Sequence, residues 1–210
     1  MQGISNVSKA VSTKTTHPIL SCIFIEAENG NIKLTANDME IGIESYVEGT
    51  VIEEGKVAIE AKLLSDIVRK LPDSEIHMET NEDFKTTIKC EKSLFTIAGK
   101  SGEDFSSLPV VEKSKYITIS QFTLREIINQ TIFSISDSEY NNVMTGELFE
   151  VSNNRLRVVA IDGHRIAIRN VELKDESQDV KVIVPGKALS YISKIVNGGV
   201  DDDVNIYFAD

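Results

Sequence analysis

Side-chain chemistry is most concentrated at Asp162-Gly163-His164-Arg165, inside the run VAIDGHRIAI. An acid, a flexible glycine, an imidazole and a guanidinium stand side by side, and an Asp–His pair of this kind can move a proton. The same residues can instead make a turn in which the aspartate bonds its own backbone, leaving His164 and Arg165 as surface recognition groups. The equivalent turn earlier in the chain, Asn37-Asp38-Met39-Glu40, keeps only the aspartate. A turn needs no more than that, whereas proton transfer would need the imidazole as well, so the turn is the expectation and a hydrolase the remote alternative.

Other chemistry fares worse. Gly99-Lys100-Ser101 ends like a phosphate loop, but Leu94 stands where that loop needs its first glycine. GxGxxG, HExxH, CxxC and GxSxG are absent, and His17, His77 and His164 lack metal-ligand spacing. No catalytic residue, metal site or cofactor is expected. Cys22 and Cys90 stand singly in alternating, strand-like segments, which reads as two buried thiols in a reducing compartment.

The elements that carry these residues occur twice. Residues 20–44 overlie residues 144–168 without a gap, so that Glu26, Asn29, Ala36 and Asp38 meet Glu150, Asn153, Ala160 and Asp162. After a slip of one residue, Val57, Lys62, Leu64, Ser65 and Ile67 fall on identical residues from Val182 to Ile192. One fold unit repeated is the simplest account. Each copy predicts a hairpin, around Asn29-Gly30 and around Asn153-Asn154, and then a helix. Met1 overlies Arg125, already inside a helical stretch that Ser120 caps, and the second copy has nothing to match 84–109. The expectation is therefore one unit over 1–113 lacking its first strand and one over 114–210 lacking its last strands. Three repeats would total about 372 residues.

Composition admits this reading: 210 residues, 41% apolar and 26% charged, suit two globular domains. There is no apolar run of spanning length and no secretory leader pattern, so no membrane is expected. A net charge of −11 argues against nucleic acid until its distribution is considered. In residues 62–71, Leu64, Ile67, Val68 and Leu71 share one face while Lys62, Arg69 and Lys70 share the other, and Lys187 and Lys194 repeat this opposite Leu189, Ile192 and Val196. With Lys9 and Lys14 in a predicted helix over 4–14, the helical stretches carry +6 and everything else −17. Such a separation presents basic helices to one partner, and sequence-independent contact with phosphates is the physical expectation.

The strings HPILSCIFIEA, LTANDMEIGIES, RKLP, AGKSGEDFSSLP, TGELFEV, VAIDGHRIAI and VIVPGKAL, in this order along the chain, closely resemble the bacterial DNA polymerase III beta subunit, the replication sliding clamp family. The resemblance implies an α+β DNA clamp fold: repeated domains with antiparallel sheets outside and two helices on the inner face, the third domain being absent here. It implies a cytoplasmic, non-catalytic processivity factor, a homodimeric ring in its full-length form. The ring would encircle double-stranded DNA and tether the DNA polymerase, the clamp loader and repair proteins through short peptide motifs. By the same resemblance the peptide pocket maps to Met144, Ile161, Gly163, His164, Arg165 and Ile166, and ring closure to an edge near Phe95 and Ile97. Lys14 takes the place of a DNA-facing arginine, and 138–143, with Asn141 and Asn142, match a DNA-facing loop loosely. A stand-alone interaction module that uses sheet edges and never meets DNA is the alternative.

Overall fold

The computed structural model describes residues 1–12, 15–137, 143–175 and 177–209. Two compact units divide the chain, Met1–Leu108 and Pro109–Asp210.

In the first unit, β1 (Cys22–Glu28) and β2 (Asn31–Asn37) form the expected hairpin. Asn29 and Gly30 both adopt positive φ, 50° and 73°, the conformation a two-residue turn with the sheet's own twist requires. With β3 (Gly42–Val47) and β4 (Gly55–Glu60) they make an antiparallel sheet of order β3-β2-β1-β4. The second unit repeats it: β9 (Gly146–Ser152), β10 (Arg155–Ile161), β11 (Ile166–Glu172) and β12 (Val180–Pro185) run in the order β11-β10-β9-β12. Registers coincide as well. Ile25 opposes Leu34 and Val57, and Phe149 opposes Val158 and Val182, which reproduces both the repeat and its one-residue slip.

One face of each sheet packs on helices. In the first unit Ile23, Ile25, Leu34 and Ile59 meet Val7 of α1 (Gln2–Val7) and Leu64 and Ile67 of α2 (Ala61–Lys70). The predicted helix over 4–14 is shorter than expected. It tightens to a 3-10 turn at Ser8–Ala10, and Val11 is extended where Ser12 N–H donates to Leu20 C=O at 3.0 Å. Lys14 and the 138–142 part of the loosely matched loop lie outside the described residues. In the second unit Phe149, Val151, Leu156 and Val158 meet α3 (Gln121–Thr131) and α4 (Gly186–Ile195) through Leu124, Ile127, Ile128 and Leu189. Ser120 caps α3 as predicted, its hydroxyl accepting from Thr123 N–H at 3.2 Å.

Smaller sheets complete the units: β5 (His77–Thr80), β6 (Lys85–Cys90) and β7 (Ser93–Ala98) in the first, β8 (Tyr116–Ser120) with β13 (Asp203–Tyr207) in the second. Cys22 and Cys90 are buried free thiols, and burial pushes the Cys22 thiol up. Among the described residues no helix is long and apolar enough to cross a membrane.

Candidate functional site

The Asp162 turn joins β10 to β11. Asp162 Oδ1 accepts from the backbone N–H groups of His164 (2.9 Å) and Arg165 (3.0 Å), and these bonds, led by the one from His164, hold its carboxyl below the usual range. Asp38 does the same in the first copy, accepting from Glu40 and Ile41 at 3.0 and 2.8 Å. The turn therefore explains why only the aspartate recurs. Gly163 sits at φ 89°, and nothing lies within 4 Å of where a Cβ would project. The Asp162 carboxylate bonds two amides and a guanidinium, and among the described residues no hydrogen bond joins it to the imidazole of His164, whose side chain is exposed.

Beyond the turn Ile161 opposes Ile166 at the end of the β10–β11 pair, and both are exposed, Ile166 at 57%. Alternation then sets the same sheet face: Ile168, Val159, Leu148 and Ile183 make a row across all four strands. The next row is polar, with Glu150 bridging Arg157 (4.0 Å) and Lys181 (3.5 Å). The result is an apolar patch with a charged rim, on the face opposite the helices. A 3-10 turn, Ile132–Ser134, packs against β10 at the edge of this patch. Its Phe133 lies beneath Arg165, whose guanidinium carbon is 5.5 Å from the ring centroid, and Ser136 N–H donates to Met144 C=O at 2.8 Å.

The predicted pocket residues Ile161, Gly163, His164, Arg165 and Ile166 are thus contiguous, and half-buried Met144 is tied to the segment that carries Phe133. Phe133 and Ile168 escaped the sequence reading. Ile168 was legible, because alternation from Ile166 puts it on the same face; Phe133 was not, because its place depends on how the chain leaves α3.

The basic residues lie on the helix faces turned from the core. Lys62, Arg69 and Lys70 are exposed around buried Ala61, Leu64 and Ile67, and Lys187 and Lys194 are exposed beside buried Gly186 and Leu189. Arg69 leans on Asp66 at 3.9 Å, and half-buried Lys9 donates to Ser5 C=O at 2.9 Å. The two expected edge residues differ. On the edge strand β7, Phe95 is 37% exposed, whereas Ile97 is only 7% exposed and belongs to the unit's own core. Ile97 shares the face of Phe95 by alternation and packs into the unit's own core, while exposed Leu94 points to the other face.

Two family models match the chain: the N-terminal domain of the DNA polymerase III beta subunit over residues 1–109, and its central domain over 118–210. The beta sliding clamp of Staphylococcus epidermidis is 39% identical over 98% of this chain and 56% of its own length; that of Halalkalibacterium halodurans is 38% identical over 94% and 55%. Among solved structures, a protein described as a DNA polymerase III beta subunit from Eubacterium rectale superimposes with a TM-score of 0.96 at 56% identity, covering 99% of this chain and 57% of that one. The DNA polymerase sliding clamp of Bacillus subtilis gives 0.94 at 32%, covering 100% and 57%. The chain spans a little over half the length of these relatives. The doubled sheet, the repeated aspartate turn and these matches across nearly all of its length place the chain in the DNA polymerase III beta subunit family.

Proposed function

We propose that this chain serves as part of a DNA sliding clamp, a non-catalytic processivity factor, with 1–113 and 114–210 as two of its repeated domains. The observation that carries the reading is the recurrence of basic residues on the solvent faces of α2 and α4 in a chain of net charge −11. Both copies spend cations on the helices and carboxylates elsewhere, the distribution a protein needs to hold duplex DNA loosely and without sequence preference. Lys9, Lys14, Lys62, Arg69, Lys70, Lys187 and Lys194 are the proposed phosphate-facing groups. Phe95 and Ile97 of the edge strand β7 are the proposed contacts for ring closure as a homodimer.

The patch at Met144, Ile161 and Ile166, with Gly163, His164 and Arg165, is the proposed docking site for short motifs of polymerase subunits, the clamp loader and repair proteins. An apolar groove with donors at its rim buries a Leu or Phe anchor and orients the backbone. The function is tested by retention of the full-length protein on circular duplex DNA. Retention that persists on a closed circle, escapes on linearisation and weakens when the seven cations are reversed supports a clamp; release indifferent to topology sinks it.

A further inference from the structure

Arg165 is held from two sides. Its Nε donates to Asp162 Oδ2 at 2.8 Å, and its guanidinium lies over the Phe133 ring at 5.5 Å. Neither Nη group has a hydrogen-bond partner among the described residues. Phe133 is itself 55% exposed and belongs to none of the core clusters. The ring is best explained by what rests on it.

The first copy shows what such a face accepts. There the corresponding surface is covered by the chain's own 99–108 segment, which turns at Gly102–Phe105, Phe105 N–H donating to Gly102 C=O at 3.0 Å, and Phe105 stacks on Phe24 with centroids 4.9 Å apart. Glu103 and Asp104 directly precede Phe105. Phe24 is the repeat partner of Leu148 in the open row of the second copy, so an aromatic anchor has a precedent within this molecule, while the acidic preference rests on Arg165, where the first copy has Ile41.

We propose that Phe133 is a positioning residue for the docking site: with Asp162 it fixes the Arg165 guanidinium so that both Nη groups point to an incoming carboxylate. The occupant is a short peptide carrying an apolar or aromatic anchor beside an acidic residue. A fixed planar fork recognises a carboxylate through paired hydrogen bonds and loses little side-chain entropy in doing so. This rests on the peptide-site reading of the patch.

The test uses the 210-residue chain and its Phe133→Leu and Phe133→Tyr variants, followed by NMR of the Arg165 Nε–H and by titration with a synthetic Ser101–Pro109 peptide. The expected result is a ring-shifted, slowly exchanging Nε–H that survives in Phe133→Tyr and is lost in Phe133→Leu. Peptide affinity should fall roughly tenfold in Phe133→Leu and recover in Phe133→Tyr, at an unchanged unfolding midpoint. A peptide with Gln and Asn in place of its Glu and Asp should bind weakly to all three proteins. Arg165 signals and affinities indifferent to the ring would overturn the positioning role, and equal binding of acidic and amide peptides would overturn the carboxylate preference. Ring-dependent Arg165 signals with no peptide binding anywhere on the second unit would overturn the peptide reading itself.

Discussion

Phe24 and Leu148 occupy equivalent places in two copies of one sheet, opposite Thr35 and Val159, yet they meet different surroundings. Phe24 is buried beneath the chain's own 99–108 segment: Phe105 stacks on it, Lys100 exchanges backbone hydrogen bonds with Ala58 on β4, and Leu108 fills the space left by the missing side chain of Gly42. Leu148 lies in a row open to solvent, with Ile183 where Ala58 stands and Ile166 where Gly42 stands. The same scaffold has thus been used once to seal a face and once to display it. Small residues admit the strap in the first copy; large aliphatic ones leave an exposed apolar surface in the second.

The sharpest way to break this contrast is to remove the strap's anchor. Phe105→Ala should cost about 3 kcal/mol, since it deletes a buried ring and its stacking partner's cover. Cys22, which shares that cluster, reports the loss, and its labelling by a thiol reagent should accelerate while Lys100 becomes open to trypsin. Leu148→Ala, the matching deletion on the open face, should cost under about 1 kcal/mol. Equal costs at the two positions would show that both faces are sealed in solution.

The next largest effect lies in the core. Glu147 stands where the first copy has Ile23, and both are 0% exposed. Thr131 Oγ1 donates to Glu147 Oε1 at 3.0 Å, while Oε2 has no partner among the described residues. Burial outweighs the single hydrogen bond and pushes the carboxyl from about 4.5 up to about 7. The folded state therefore holds this proton more tightly than the unfolded chain. The stabilisation is complete below the unfolded value and drains away as pH rises through about 7, by about 3 kcal/mol in all. Glu147→Gln should flatten that part of the profile and leave the second unit more stable than the wild type at pH 8. Urea unfolding at pH 5 and pH 8 measures it, and an unchanged difference between the two pH values would move the titration to other groups.

Much of this architecture is written in local pattern. Period-two alternation sets the sheet faces, Asn29-Gly30 and Asn153-Asn154 punctuate the hairpins, and the apolar stripes of α2 and α4 leave their cations outside. What escaped depends on neighbours distant in sequence. Glu147 shares alternation with Phe149 and Val151, but a carboxylate reads as exposed unless the structure shows it neutral. Phe95 and Ile97 alternate onto one face, and a single strand cannot tell which of them lies over the core. The early end of the first helix reflects competition from an extended bond between Ser12 and Leu20.

Smaller effects refine the contrast at the turns. Gly163 and Met39 take the same left-handed conformation, φ 89° and 75°, so the first copy carries a strain that the second avoids. Gly163→Ala should cost about 1 kcal/mol, whereas Met39→Gly should change little, because relief of strain is offset by a freer unfolded chain. Thermal unfolding of each variant distinguishes the two. The hairpin tips reverse this logic. Gly30 is unencumbered, but Asn154, at φ 59°, donates from Nδ2 to Leu173 C=O at 2.9 Å and accepts from Leu173 N–H at the same distance. Asn154→Gly eases the backbone by a few tenths of a kcal/mol and forfeits two side-chain bonds, the one to Leu173 and a longer one from Ser177 Oγ at 3.4 Å, so a net loss of about 1 kcal/mol is expected. A gain would mean that turn geometry outranks the link to Leu173, and that the two tips differ by drift alone.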